Sequence, residues 1–386
     1  MKKIIHNGTL IIDGSSRIEN GYLITEDGKI QEVGNGSAPE CSDAEYIDAQ
    51  GNYILPGFID IHIHGAMGKD LIEGTQESVD AVATNVVKDG CTSFMASLTV
   101  LSHEEMLHTL DGFSKVEAVE NGAHFLGVHE EGPYLSEKYN ALMDLRYLRD
   151  PSIQEMKEMI EHSGNRIKIM TVAPERTGME EFITYLKECG ITVMIGHTDA
   201  KPEDVHMAVK SGAKGFTHLY NAMSQHLHRE PGCVTGAMIE TDSYAELICD
   251  GFHVNKNVVI ATYKTFTPKR LILITDAMLG KGMPDGDYVF SGLSCYKEGK
   301  HVRVKETGRI AGSAFGMNDA VTCMREFCHA SMNDIVQMAC VNPSILANVS
   351  SCKGTLTVGK DADIIVIDND NHIKNVFVSG KEVYKQ

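Results

Sequence analysis

Between Ile59 and Thr275 the sequence alternates eight short apolar or β-branched runs with segments of helical period, and this alternation constrains the fold more than any other feature. The runs are Ile59–Ile63, Thr92–Leu98, Phe125–Val128, Ile167–Val172, Thr192–Ile195, Gly215–Thr217, Ala245–Cys249 and Leu271–Thr275. Between them lie Ser78–Lys88, His103–Phe113, Pro151–Ser163, Glu180–Cys189 and Pro202–Ser211. A helix over the last of these places Val205, Ala208 and Val209 on one face. Eight strands alternating with helices predict a (β/α)8 TIM-like barrel of the α/β class.

Both ends of the chain read differently. Lys3–Ile5, Thr9–Ile12, Tyr22–Thr25 and Ile30–Val33 are short β-prone runs, separated by turn signals at Asn7-Gly8, Asp13-Gly14 and Asp27-Gly28. Thr355–Val358, Ile364–Ile367, Val376–Val378 and Glu382–Tyr384 repeat the pattern at the other end. The expectation is one small β-sandwich domain formed from both termini, residues 1–55 plus 352–386, around a barrel domain of residues 56–351. A length of 386 residues suits one large barrel with such an appendage.

The net charge of −18 sets the chain against nucleic acid and anionic membranes, and no block of Lys and Arg offsets it. No apolar run reaches the roughly 18 residues a membrane span needs. The apolar stretch at the N-terminus is broken at His6-Asn7-Gly8, so it reads as a first strand rather than a signal peptide. The ten cysteines contain no CxxC pair and read as free thiols. A cytoplasmic location is expected.

The informative positions follow the strands, where barrels carry their active sites. The first run ends in His62-Ile63-His64, and period two puts both imidazoles on one face. The third leads into His129-Glu130-Glu131, the fifth into His197 and the sixth into His218. The seventh is followed by Asp250-Gly251-Phe252-His253 and the eighth by Asp276. Histidines and carboxylates thus converge on one rim, and imidazole and carboxylate are the usual ligands of catalytic zinc and related ions. Singly, each has a structural reading: strand histidines, a hydrogen-bonded core His218, Asp276 as a helix N-cap. Those readings do not account for all of them falling at strand ends. His103 to His108 misses the HExxH spacing by one position, since Leu107 occupies the required place, and reads as a solvated helix face. Met156 and Met159 read as core, and His6, His301 and His372 as surface residues.

These residues resemble the amidohydrolase superfamily, and within it the N-acetylglucosamine-6-phosphate deacetylases. Leu55 to Gly65 matches the superfamily's first-strand signature, and Gly359-Lys360-Asp361-Ala362-Asp363-Ile364 its return to the β-domain. The narrower match rests on His129-Glu130-Glu131-Gly132-Pro133, Gly196-His197-Thr198-Asp199-Ala200, Thr217-His218-Leu219-Tyr220-Asn221-Ala222-Met223, His228-Arg229-Glu230-Pro231-Gly232, Asp250 to His253 and Thr275-Asp276-Ala277. The resemblance implies that Glu131, His197 and His218 hold a main metal ion. It also implies that His62 and His64 hold a second, with Glu131 between them, and that Asp276 is the catalytic acid and base. One or two divalent ions per subunit are implied, zinc first, with iron, manganese and cobalt as alternatives. Asn221, Ala222, Arg229 and His253 match positions that bind the sugar phosphate. Leu142 and the Ile310-Ala311-Gly312 stretch match a substrate-lining loop. The partners implied are a small amino-sugar phosphate and a second copy of the chain in a homodimer that closes the phosphate site.

The chain departs from the family at one place. Where members commonly carry Lys-Gly-Ala-His, this sequence has Asn140-Ala141-Leu142-Met143, so Met143 replaces a histidine that touches substrate. Methionine neither donates a strong hydrogen bond nor carries charge. Three other readings follow: a deacetylase of N-acetylgalactosamine-6-phosphate, a ring-opening imidase, and a catalytically inactive barrel serving as scaffold or sensor. Glu131 stands where an imidase has a carboxylated lysine, and the retained ligand set speaks against an inactive barrel.

Overall fold

The computed structural model describes residues 2–290 and 293–386. The eight barrel strands are Phe58–Ile63, Cys91–Leu98, His124–Glu131, Ile167–Val172, Thr192–Ile195, Gly215–Phe216, Tyr244–Ile248 and Leu271–Ile274. They pair in parallel in chain order. The first and last meet where the Asp276 N–H donates to the His62 carbonyl at 2.9 Å and Ile63 bridges Ala277. Gly57 is required at the barrel entrance, because a Cβ there would lie 2.0 Å from Thr92 Oγ1. The helices wrap the outside. Helix His103–Ser114 starts at Ser102, whose hydroxyl caps the Glu105 N–H, and helix Pro202–Ser211 places proline in its first turn. No helix among the described residues is long and apolar enough to cross a membrane.

Strands from both termini form a second sheet of eight. Its order is Lys381–Lys385, Ile373–Val378, Ile364–Ile367, Tyr53–Pro56, Lys2–Ile11, Arg17–Glu26 and Lys29–Asn35, with Ala44–Asp48 also paired to Lys2–Ile11. Tyr53–Pro56 joins the two chain ends. The sheet curls on itself, so Leu23 and Ile30 from one end share a buried cluster with Ile364 and Phe377 from the other. Asp27-Gly28 makes the expected hairpin turn, both residues having positive φ.

Three expectations need correction. Lys3–Ile5 and Thr9–Ile12 are one strand; Asn7, at φ 58°, marks a bulge in it rather than a turn. Thr355–Val358 is not a strand, and only Leu356 of that stretch is buried. Ile310-Ala311-Gly312 is not a loop but part of strand Ile310–Ser313. That strand closes an inserted antiparallel sheet with Gly286–Phe290, Leu293–Glu298 and His301–Val304. The insertion is clasped to the rim: His301 stacks on Phe252 at 4.0 Å, and Met278 N–H donates to the Ser313 carbonyl.

Candidate active site

Side-chain alternation decides which residues reach the barrel interior. The third strand runs three residues past its expected end, so His129, Glu130 and Glu131 belong to it. His129 and Glu131 turn inward, whereas Glu130 points the other way and is buried with neither oxygen hydrogen-bonded among the described residues. His197, His218 and Asp276 each follow a strand end in left-handed backbone, at φ 47°, 31° and 48°. Non-glycine residues rarely hold this conformation, and its clustering here is strain concentrated at one site.

The chain brings the implied ligands together in two groups. Glu131 Oε1 lies 3.0 Å from His197 Nε2 and 2.9 Å from His218 Nε2, and the two ring nitrogens are 3.1 Å apart. His62 Nε2 is 3.3 Å from His64 Nε2, and His64 Nε2 is 3.2 Å from Asp276 Oδ1. Glu131 stands between the groups, 3.8 Å from His62 and 3.7 Å from His64.

Surrounding residues fix the rings. His197 Nδ1 donates to the Tyr139 carbonyl at 2.9 Å. His62 Nδ1 donates to Glu246 Oε2 at 3.0 Å, and the same oxygen accepts the His218 N–H. Each Nδ1 bond leaves Nε2 as the nitrogen turned to the site. His129 is spanned by the Ile61 carbonyl and Thr171 Oγ1. Asp60 accepts from the Thr275 hydroxyl, tying the first strand to the eighth. Sequence reasoning missed Glu246 and Asp60 as members of the site, and placed His129 on the rim without giving it a role. The available signal for Glu246 was a lone acid inside an otherwise uncharged buried strand, Tyr244–Ile248.

Above these groups opens a cavity of about 530 Å³. Of the implied substrate residues, Leu142, Asn221, Ala222, His253, Ala311 and Gly312 line it. His253 is held by Asp250, to which its Nδ1 donates at 2.6 Å. Arg229 is exposed and does not line the cavity. Met143 does, packed against Val100, Leu135 and Leu148. The near-miss HExxH segment is elsewhere: His103 reaches Glu158 on a neighbouring helix and His108 is exposed.

The rim favours a cation. Burial opposes charge on His62, yet Glu246, Glu131 and Asp276 push its ring up to about 10. Burial would raise the Asp276 carboxyl, but the His64 hydrogen bond and the His62 charge hold it well below the usual carboxylate range. Glu131 is likewise held low, against burial, by His197 and His62. By contrast, burial pulls His129 down to about 4 and pushes Asp60 up to about 6. Carboxylates facing imidazole nitrogens in a largely buried cluster form a donor set that fits a divalent ion. Glu131, His197 and His218 are one candidate group for it, and His62, His64 and Asp276 another.

Comparison with known proteins agrees with this architecture. The amidohydrolase family model matches residues 53–383. An N-acetylglucosamine-6-phosphate deacetylase of Bacillus subtilis is 35% identical over 364 residues, spanning 93% of this chain and 92% of the relative. An N-acetylgalactosamine-6-phosphate deacetylase of Escherichia coli O157:H7 is 29% identical, spanning 93% of this chain and 97% of the relative. A mutant N-acetyl-D-glucosamine-6-phosphate deacetylase from Mycobacterium smegmatis, solved with N-acetyl-D-glucosamine-6-phosphate, superposes with a TM-score of 0.91 at 28% identity, covering 100% of this chain and 99% of that one. The chain belongs to the amidohydrolase family, and within it to the N-acetylglucosamine-6-phosphate deacetylases.

Proposed function

We propose that this chain hydrolyses the N-acetyl group of N-acetylglucosamine-6-phosphate, giving acetate and glucosamine-6-phosphate. The observation that carries the reading is Asp276, ionised and 3.2 Å from His64, set beside the Glu131–His197–His218 group on the wall of the cavity. Glu131, His197 and His218 would hold one divalent ion, and His62 and His64 would contribute to a second, zinc being the first candidate. When bound, such an ion acidifies water and offsets the negative charge that grows on the carbonyl oxygen.

The chain's own residues supply the proton chemistry. Amide nitrogen is a poor leaving group until it is protonated. Asp276 is held as carboxylate, so it takes the proton of the attacking water and returns it to the departing amine. His64 orients Asp276, and Glu246 orients His62. Asn221, Ala222 and His253 would hold the sugar phosphate. Arg229 lies outside the cavity of a single chain, so its use as a phosphate ligand requires a second copy, as in a homodimer. Its forked guanidinium suits a phosphate.

A second reading is the galacto epimer, favoured by Met143, which stands where the family commonly has a histidine that touches substrate. Acetate release from the 6-phosphates of N-acetylglucosamine and N-acetylgalactosamine, beside unphosphorylated N-acetylglucosamine, separates the two. The proposal expects fastest release from N-acetylglucosamine-6-phosphate and little from the unphosphorylated sugar. Faster release from the galacto phosphate would replace the proposal with the second reading.

A further inference from the structure

The cavity has two chemically different sides. After the sixth and seventh barrel strands it presents Asn221, Ala222 and His253. After the first, second and third it presents Ile72, Val100, Leu101 and Met143. In an eight-stranded barrel the second and sixth strands stand across from one another, so the two sides face each other over the Glu131–Asp276 groups. Three acids also border the apolar side, but each is engaged locally. Asp70 accepts the Ile72 N–H at 3.0 Å, Glu105 accepts from Ser102 Oγ at 2.5 Å, and Asp144 is gripped by the Arg146 guanidinium at 2.9 Å. Thr99 and Tyr147 border it as well, so this side offers a ligand an apolar centre with a polar edge.

A secondary amide is planar and trans, so its nitrogen substituent and its acyl chain leave in opposite directions. With the sugar phosphate against Asn221, Ala222 and His253, and the carbonyl carbon beside Glu131 and Asp276, the acyl chain points at Ile72, Val100, Leu101 and Met143. An acetyl methyl cannot span four side chains. A histidine at position 143 would put a polar ring on this wall, whereas methionine is apolar and adapts its shape to what it touches.

We propose that the site accepts linear N-acyl groups longer than acetyl, its substrate class being N-acyl amino-sugar 6-phosphates, with Val100 and Met143 setting the acyl length. This rests on the deacylation reading above. The test measures kcat/KM for N-acetyl, N-propionyl, N-butyryl and N-hexanoyl glucosamine-6-phosphate by release of the free amine. The wild type is expected to cleave the butyryl compound within about tenfold of the acetyl one, since burial of each added methylene offsets its steric cost. Val100→Phe should lower the butyryl-to-acetyl ratio by at least ~10-fold by filling the wall. Met143→His should lower the same ratio and serves if the phenylalanine variant does not fold, as judged by thermal melting. Cleavage of acetyl with a butyryl rate more than ~100-fold lower overturns the inference while leaving the deacetylase reading intact. A ratio unmoved by every folded variant also overturns it. If no compound is cleaved by folded, metal-loaded protein, the deacylation reading fails and the inference falls with it.

Discussion

Ile169 and Thr171 sit two residues apart on the inner face of the same barrel strand, yet they belong to different worlds. Ile169 joins an apolar plug with Ile59, Met95, Met194 and Ile272, closed from below by Leu346, whose carbonyl accepts the Thr192 hydroxyl. Thr171 is in the polar layer, bonded to His129 and to the Thr217 hydroxyl. The seventh strand repeats the step: Tyr244 packs on the plug and Glu246 holds His62. One inner face is thus divided by depth. The lower layer buries apolar surface and stabilises the barrel. The upper layer buries carboxylates and imidazoles, which cost stability unless paired, and it carries the chemistry.

If that division holds, substitutions in the two layers should fail in different ways. The largest effect is expected from Asp276→Asn, which removes the proton carrier: kcat should fall by about 10²–10⁴-fold. Its melting temperature should move little, and a comparable loss of stability would break the distinction. Ile169→Ala, one layer down, should cost about 2–5 kcal/mol in urea unfolding through the cavity it leaves. Metal content of the folded fraction should be unchanged, and loss of metal there would show the layers to be coupled. Glu246→Gln is the mildest, because the amide oxygen still accepts from His62 while the charge is gone. Metal affinity should fall by roughly 10–100-fold, read by competition with a chelator. An unchanged affinity would mean that Glu246 holds the ring without tuning it.

The same division explains what the sequence revealed. All eight barrel strands were legible, because a strand covered on both faces is an uninterrupted apolar run. His62, His64, His197, His218 and Asp276 were legible because they fall where those runs stop. Glu246 was hidden inside a strand, where its role depends on a partner 184 positions away. The inserted sheet was missed for a different reason: exposed residues such as Asp287 and Val289 alternate with half-buried ones such as Tyr288, and the apolar run Tyr288-Val289-Phe290 is short. Arg229 carries the family motif but sits on the surface, and no local pattern says which chain its side chain serves.

If the polar layer works as a metal-dependent deacetylase, its activity depends on bound metal. The most direct measurement follows acetate release from N-acetylglucosamine-6-phosphate by protein stripped with a chelator and then reloaded with zinc, iron, manganese or cobalt. Activity should be lost on stripping and return with at least one of these ions, at unchanged fold by circular dichroism. Full activity in the stripped, metal-free protein would contradict that reading, as would the absence of acetate from protein shown to carry the metal.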